Sequence, residues 1–379
     1  MFSNDPNDLK PFADLARSFA VKELAGKVAQ HDCYPFGNFY IDILDKAYHL
    51  GFLGVTLPTV LGGINGGMAA LCEILLHICE VDASPGGIIF TQTLAQEILL
   101  AAGTGDLTQS IFTKAASAKE LLVAFPAYTD PAQTDSLPLA QKTGNDYTIT
   151  GRLELLVLGS LAQQAIIPAR HGSGPDYSFF LISLDDQKLG KSEPVFTLGL
   201  HACPAVDVTF SGVRGHLIGE ENAGHRYFEK VSLKMNSAAA AMNAGILRGA
   251  FNEAFSYSQK REQGGRPIIR WSEIGMMLAS MSVKADVAEM CVHQSCLELE
   301  QKGSGYASRV LSAAVHTAEL ACSATTDGIQ VLGGYGYMKE HGQEKRYRDA
   351  RMVQALLGAV PYKKLDIIQK AVGANSYDL

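Results

Sequence analysis

The hydrophobic period of this chain changes twice, and that change limits its fold more tightly than any single motif. From Leu9 to about Ser117 apolar residues recur every three or four positions, as in LKPFADLARSFAVKELAGKVAQ and FYIDILDKAYHLGF, the mark of helices with one buried face. Gly51 stands where a C-cap glycine closes the second. Near Leu121 the pattern gives way to short runs, LLVAFPAYTD, DYTITGRLELLVLG, QQAIIPAR, YSFFLISL and VDVTFSGV. They are rich in β-branched and aromatic residues and are broken by Gly, Pro, Asn and Asp, as strands are. From Tyr227 the helical period returns in long segments with small residues scattered through them, which suits a tightly packed four-helix bundle. The expectation is an α+β, mostly helical chain: an N-terminal helical domain over 1–118, a middle β barrel or sandwich over 119–222, and a C-terminal four-helix bundle over 223–379.

Composition agrees and removes some function classes. A chain of 379 residues exceeds what one core organises, and 47% hydrophobic against 19% charged residues excludes disorder. A net charge of −7 argues against nucleic acid, whose phosphates call for a basic excess. The opening MFSNDPNDLKPF has no cationic lead and apolar run, so no signal peptide is expected. No apolar run reaches the about 18 residues of a membrane span; the alanines around Ala238 are interrupted by Asn236, Ser237 and Asn243. Seven cysteines without framework spacing fit reduced thiols in a cytoplasm. Cys72, Glu73, His77 and Cys79 lie on one helix, but without the tight repeated spacing of a metal site; a core-facing role is expected and no metal.

The stretch DGIQVLGGYGYMKEHGQEKRYRDARMVQALLG, Asp327 to Gly358, carries the densest signal for chemistry. Gly333, Gly334 and Gly336 follow a helical run and precede a basic, Tyr-interleaved segment from Lys339 to Arg351. Glycines let a backbone approach a ligand closely, and such a loop can hold an anionic cofactor. The plainer alternative is a helix C-cap followed by a solvated charged turn. QVLGGYGY followed by RYRDAR resembles the C-terminal half of the acyl-CoA dehydrogenase family, and weaker signposts extend the resemblance from about Leu9 to about Ile368. The resemblance implies the same helix, sheet, helix architecture, FAD as cofactor, an acyl-CoA thioester oxidised between Cα and Cβ, a tetramer, and an electron-transfer flavoprotein as acceptor.

That reaction needs a carboxylate to take the α-proton and a flavin N5 to receive the β-hydride. Most of the family keeps a glutamate before a Gly-Thr pair, shortly after RDA. Here RYRDARMVQALLGAV puts Leu357 at that position and Ala359 at the threonine. A minority carries the glutamate early in the first long C-terminal helix. Counting back from Arg261 reaches Met235 and Asn236, neither a proton acceptor, with Asn236 left as a substrate-binding candidate. Glu154, Asp130, Asp135, Tyr128, Glu97 and the His201/Cys203 pair are the remaining candidates for a base.

The expected flavin contacts divide in two. The family's T-E-P-x-A-G-S-D loop is YTDPAQTD here, with Thr129 and Thr134 as candidate contacts, and its W-I-T strand is Leu155, Leu156 and Val157. Leu155 and Val157 can cover a ring face, but valine offers no hydroxyl to the N5 edge. The half that reaches into a neighbouring subunit is better kept: KREQGG retains Arg261, and QVLGG retains Gln330, Gly333 and Gly334. The family's H-Q pair has become Trp271 and Ser272. An arginine fork beside glycine amides is a sound pyrophosphate site; the alternative for Arg261 is a surface ion pair.

This uneven erosion points to the base-lacking subunit of a heteromer, lending part of the FAD site to a paralogous acyl-CoA dehydrogenase subunit that carries the glutamate. Two other functions stay open: a complete enzyme on a cyclic or conjugated acyl-CoA with a relocated base, and a catalytically inert scaffold or binding homologue.

Overall fold

The structure is a computed structural model that describes residues 6–127, 137–144, 146–171 and 176–372. Among the described residues seven helices come first: α1 (Pro6–Phe19), α2 (Val28–His31), α3 (Ile41–His49), α4 (Gly67–Val81), α5 (Ala83–Ala101), α6 (Gly105–Phe112) and α7 (Ala118–Leu121). The stretch after Leu9 does not run as one helix; a π-helical turn at Ala20–Leu24 interrupts it before α2. Gly51, at φ 78°, does follow α3.

The seven strands described next are β1 (Val123–Pro126), β2 (Leu139–Thr143), β3 (Asp146–Val157), β4 (Gln164–Arg170), β5 (Tyr177–Ser183), β6 (Leu189–Lys191) and β7 (Ala205–Ile218). They form one sheet in the order β1-β3-β2-β4-β5-β7-β6, and further pairings of β1 with β4 and β3 with β7 bend it back on itself. Opposite Asp207 of β7 the β3 strand carries two residues, Glu154 and Leu155, between the pairs Leu153↔Val208 and Leu156↔Val206. This bulge breaks the alternation of faces that an unbroken strand would keep.

The helical bundle follows: α8 (Gly224–Lys260), a short hairpin of β8 (Glu262–Gln263) and β9 (Arg266–Pro267), α9 (Ser272–Gln301), α10 (Tyr306–Leu332), α11 (Gln343–Val353) and α12 (Val360–Val372). The bundle proper is α8, α9, α10 and α12, and α8 also lies along α4 and α5. The small residues of α8 explain how it can. A Cβ on Gly245 would meet the Leu76 carbonyl oxygen at 2.2 Å, and one on Gly249 the Glu80 carbonyl oxygen at 2.2 Å. Glycine there allows the two helix backbones to touch, and the alanines from 238 to 241 are buried between them.

The N-terminal helices, the sheet and the bundle meet at a buried charge cluster. Lys345 Nζ donates to Asp82 Oδ1 at 2.6 Å and Asp349 Oδ2 at 2.5 Å. Tyr40 donates to Asp82 Oδ2 at 2.7 Å, and the Leu200 amide donates to Asp349 Oδ1 at 2.8 Å. Beside it Arg348 pairs with Asp32 at 2.5 Å and with Glu344 at 2.6 Å.

Candidate active site

The two ends of the bundle present two different cavities. At the end of α10, Arg261, Gln330, Gly333 and Gly334 line a cavity of about 890 Å³ together with Tyr257, Trp271 and Tyr335. Gly333 caps α10 at φ 59°, ψ −132°, a conformation that a side chain opposes, and a Cβ there would point into open space. The constraint on that glycine is therefore its backbone, which turns sharply at the cavity. Arg261 is the C-cap of α8, and its guanidinium lies 5.8 Å from the centre of the Tyr335 ring, with no carboxylate paired to it among the described residues. The surface ion pair that would explain it structurally is absent among those residues.

The first turn of α9 opens on the same cavity through Glu273 and Ile274. Its amides, unpaired within the helix, give a 30-residue helix its positive end there. The Glu273 carboxylate is held below its usual range by its own backbone N–H and the Ser272 hydroxyl, so an arriving anion competes with it for this helix end. Trp271 stacks under the Arg266 guanidinium at 3.7 Å and donates from Nε1 to the Gln263 carbonyl oxygen at 3.3 Å.

The basic segment from Lys339 to Arg351 behaves otherwise than its charge suggests. Its glycine-rich neighbour faces the cavity, but Lys345 is bound to Asp82 and Asp349, Arg346 to Glu253, and Arg348 to Asp32 and Glu344. Those cations are committed to the fold, and Arg261 is the cation that faces the cavity.

At the start of α8 and along α12, Asn236 and Leu357 line a second cavity, of about 450 Å³. Met235 is fully buried in the core and does not line it. Leu357 sits at φ 58°. Asn236 Nδ2 donates to the Ser232 carbonyl oxygen at 2.8 Å, whereas its Oδ1 is buried without a partner. Lys363, which sequence reading missed, lines the same cavity at 4% exposure. Its Nζ donates to the Leu356 carbonyl oxygen at 2.7 Å. Burial, only partly offset by Asp366, pulls its ammonium down to about 8. Periodicity could not have found it, because α12 exposes Tyr362, Leu365 and Ile368 and buries the lysine.

Leu155 and Val157 are half-buried at the end of β3, where Val157 pairs with Phe125 and Ala205 and the Leu155 amide donates to Asp207 Oδ1 at 3.1 Å. Neither lines the Arg261 cavity. Thr129 and Thr134, with Tyr128, Asp130 and Asp135, lie outside the described residues. Among the other candidate bases, Glu154 is exposed and 3.4 Å from Arg152, at the bulge rather than on a regularly alternating face. Glu97 accepts from Lys234 at 2.9 Å, and His201 lies 2.7 Å from Asp32. Burial pushes the Cys203 thiol up to about 12. None of Glu154, Glu97, His201 and Cys203 lines the cavity that holds Leu357. Cys72 and Cys79 are buried in the core as expected of α4, while His77 lies 3.7 Å from Glu73. No described helix is long and apolar enough to cross a membrane.

Comparison with known proteins follows the same lines. The model of the acyl-CoA dehydrogenase N-terminal domain matches residues 6–119, and that of the C-terminal domain matches residues 222–373. The caffeyl-CoA reductase-Etf complex subunit CarC of Acetobacterium woodii is 27% identical over 93% of this chain and 94% of that protein. Cyclohex-1-ene-1-carbonyl-CoA dehydrogenase of Syntrophus aciditrophicus is 26% identical over 92% of this chain and 86% of that protein. The solved structure of butyryl-CoA dehydrogenase from Megasphaera elsdenii superposes with a TM-score of 0.85 at 22% identity, over 97% of this chain and 98% of that one.

Proposed function

The chain belongs to the acyl-CoA dehydrogenase family of FAD oxidoreductases, and from that premise we propose that it is the subunit of a heteromer that lends a pyrophosphate-binding half-site to a base-carrying paralogue. The observation that carries this reading is the contrast between the two cavities. The one lined by Arg261, Gln330, Gly333 and Gly334 offers a free guanidinium, a helix N-terminus and open glycine backbone. The one lined by Leu357 and Asn236 offers an alkyl group and an amide where relatives keep a carboxylate.

The residues present fit the phosphate end of FAD. The planar fork of Arg261 would hold the pyrophosphate, the amides at the start of α9 would complement its negative charge, and Tyr335 and Trp271 would offer ring faces to an adenine. Glu273 has to release the α9 amides for this, which a dianionic pyrophosphate with an arginine beside it can enforce. FAD held here would supply the hydride acceptor for Cβ. This chain's part is to hold and orient. At the strand where relatives place a tryptophan and a threonine against the flavin, it offers only the alkyl surface of Leu155 and Val157. The α-proton is taken by the partner's carboxylate. Association with an electron-transferring flavoprotein is supported by the likeness to CarC.

Co-expression with a homologue encoded in an adjacent gene, followed by size exclusion and flavin absorbance, tests the reading. The expected product is a mixed oligomer that bleaches anaerobically with an acyl-CoA. Arg261→Ala in this chain should weaken FAD retention by about 10- to 100-fold, the worth of a charge-assisted hydrogen bond. A yellow homotetramer that turns over acyl-CoA alone would overturn it.

A further inference from the structure

The helix α12 is built against the usual pattern. Its apolar Tyr362, Leu365 and Ile368 are exposed, and the residue it buries is Lys363. A buried ammonium without a paired carboxylate costs folding energy, so its retention in a cavity wall calls for a ligand. Lys363 forms no ion pair among the described residues and spends one of its three N–H groups on the Leu356 carbonyl oxygen. A second unmet demand lies in the lining of the same cavity. Asn236 is 3% exposed, its Nδ2 is committed to the Ser232 carbonyl oxygen, and its Oδ1 has no partner. The lining thus holds a cation with no ion pair among the described residues and an amide oxygen with no donor.

We propose that this cavity binds a short hydroxycarboxylate, with Lys363 holding the carboxylate and Asn236 Oδ1 receiving the hydroxyl hydrogen bond. Phe228, Leu233, Leu311 and Leu357 supply the apolar part of a lining that is otherwise polar, and take the aliphatic part. A volume of about 450 Å³ suits a small ligand. A monoanion matches the one deeply buried cation of the cavity, Lys363; the Glu229 carboxylate on its wall lies 3.5 Å from Lys370 Nζ. The carboxylate belongs either to a free acid or to the far end of an acyl group on a CoA thioester, and the two share this chemistry. The proposal shares the Leu357 cavity with the heteromer reading, but the Arg261 cavity plays no part in it, so its failure would leave the pyrophosphate half-site of that reading untouched.

Titration calorimetry on the purified flavoprotein, in whatever oligomer it forms, decides the matter with 3-hydroxybutyrate, butyrate, 1,3-butanediol and 3-hydroxy-3-methylglutaryl-CoA as probes. Butyrate should bind about tenfold more weakly than 3-hydroxybutyrate, for the lost hydrogen bond, and the diol not measurably. Lys363→Met should weaken 3-hydroxybutyrate by about 10- to 100-fold, and Asn236→Leu should erase its advantage over butyrate. Tighter binding of the thioester identifies an acyl group as the source, and tighter binding of 3-hydroxybutyrate a free acid. Runs in two buffers of different ionisation enthalpy at pH 8 supply a readout that needs no variant. A carboxylate that pairs with Lys363 raises its pKa from about 8 and draws in a proton. The other titratable groups around the cavity are His225, Glu229, Asp366 and Lys370, so the uptake must vanish in Lys363→Met if Lys363 is its origin. Equal affinity in wild type and Lys363→Met, or binding without proton uptake in the wild type, overturns the proposal. So does the absence of binding by both 3-hydroxybutyrate and 3-hydroxy-3-methylglutaryl-CoA.

Discussion

Lys345 of α11 and Lys363 of α12 are both buried, yet they live in opposite electrostatic surroundings. Burial alone lowers the pKa of each. At Lys345 the carboxylates of Asp349 and Asp82 outweigh burial and raise it well above the usual value. At Lys363 burial wins and takes the ammonium down to about 8. The first lysine ties α11 to the N-terminal helices through its ion pair with Asp82, and its other partner, Asp349, receives the Leu200 amide. The second bonds to the Leu356 carbonyl and looks onto a cavity. Burial of a lysine therefore says little about its role until its partners are counted; with partners it is structural, and without them it is available to a ligand.

Removing each charge should give effects of opposite sign, and the larger is at Lys345. Lys345→Met leaves Asp82 and Asp349 buried together without a cation and should cost about 3–5 kcal/mol in chemical denaturation. A loss below about 1 kcal/mol would mean that the cluster is no more structural than the lysine of α12. Lys363→Met should instead stabilise the protein, by about 1–3 kcal/mol at neutral pH, because it removes a buried charge that forms no ion pair among the described residues. The sign follows from linkage. The unfolded chain holds this proton up to the usual 10.5 while the folded one releases it near 8. Wild-type stability therefore rises over that interval, and the advantage of the variant should shrink toward high pH. An advantage that does not change with pH would assign it to packing instead.

The smallest effect sharpens the junction side of the comparison. Burial pushes the Asp32 carboxyl up, but hydrogen bonds from His201 and Arg348 prevail and hold it well below the usual range. A depressed carboxylate contributes stability above its unfolded value of about 4 and loses it as the pH falls below that. Asp32→Asn should flatten the acid limb of the pH–stability curve while leaving the alkaline limb, where Lys363 acts, unchanged.

Much of the fold was legible because period is local. The switch near Leu121 and the return after Tyr227 read directly as helices, sheet and bundle, and β1 and α8 begin at Val123 and Gly224. The π turn at Ala20–Leu24 was not legible, since it inserts into an otherwise helical pattern without a Gly or Pro to mark it. Nor was the β3 bulge, which is set by Asp207 on the opposite strand receiving the Leu155 amide. In the site, the grouping of Arg261 with Gln330, Gly333 and Gly334 could be expected from resemblance, and the structure places all four on one cavity. The basic run before Arg351 misled, because its charges are cancelled largely by acids that lie far away in the sequence.

That Leu357 and Met235 stand at the two positions where the resemblance leads one to expect a glutamate is read from the sequence, and so is the order of helix, sheet and helix, since each depends on identity or on neighbours a few positions away. Which cations are free was decided only in three dimensions. Lys345 meets Asp82 across 263 positions and Arg348 meets Asp32 across 316, while Lys363 forms no ion pair among the described residues. Charge is a property of a side chain, but the cost of burying it depends on what the fold brings within a few ångströms.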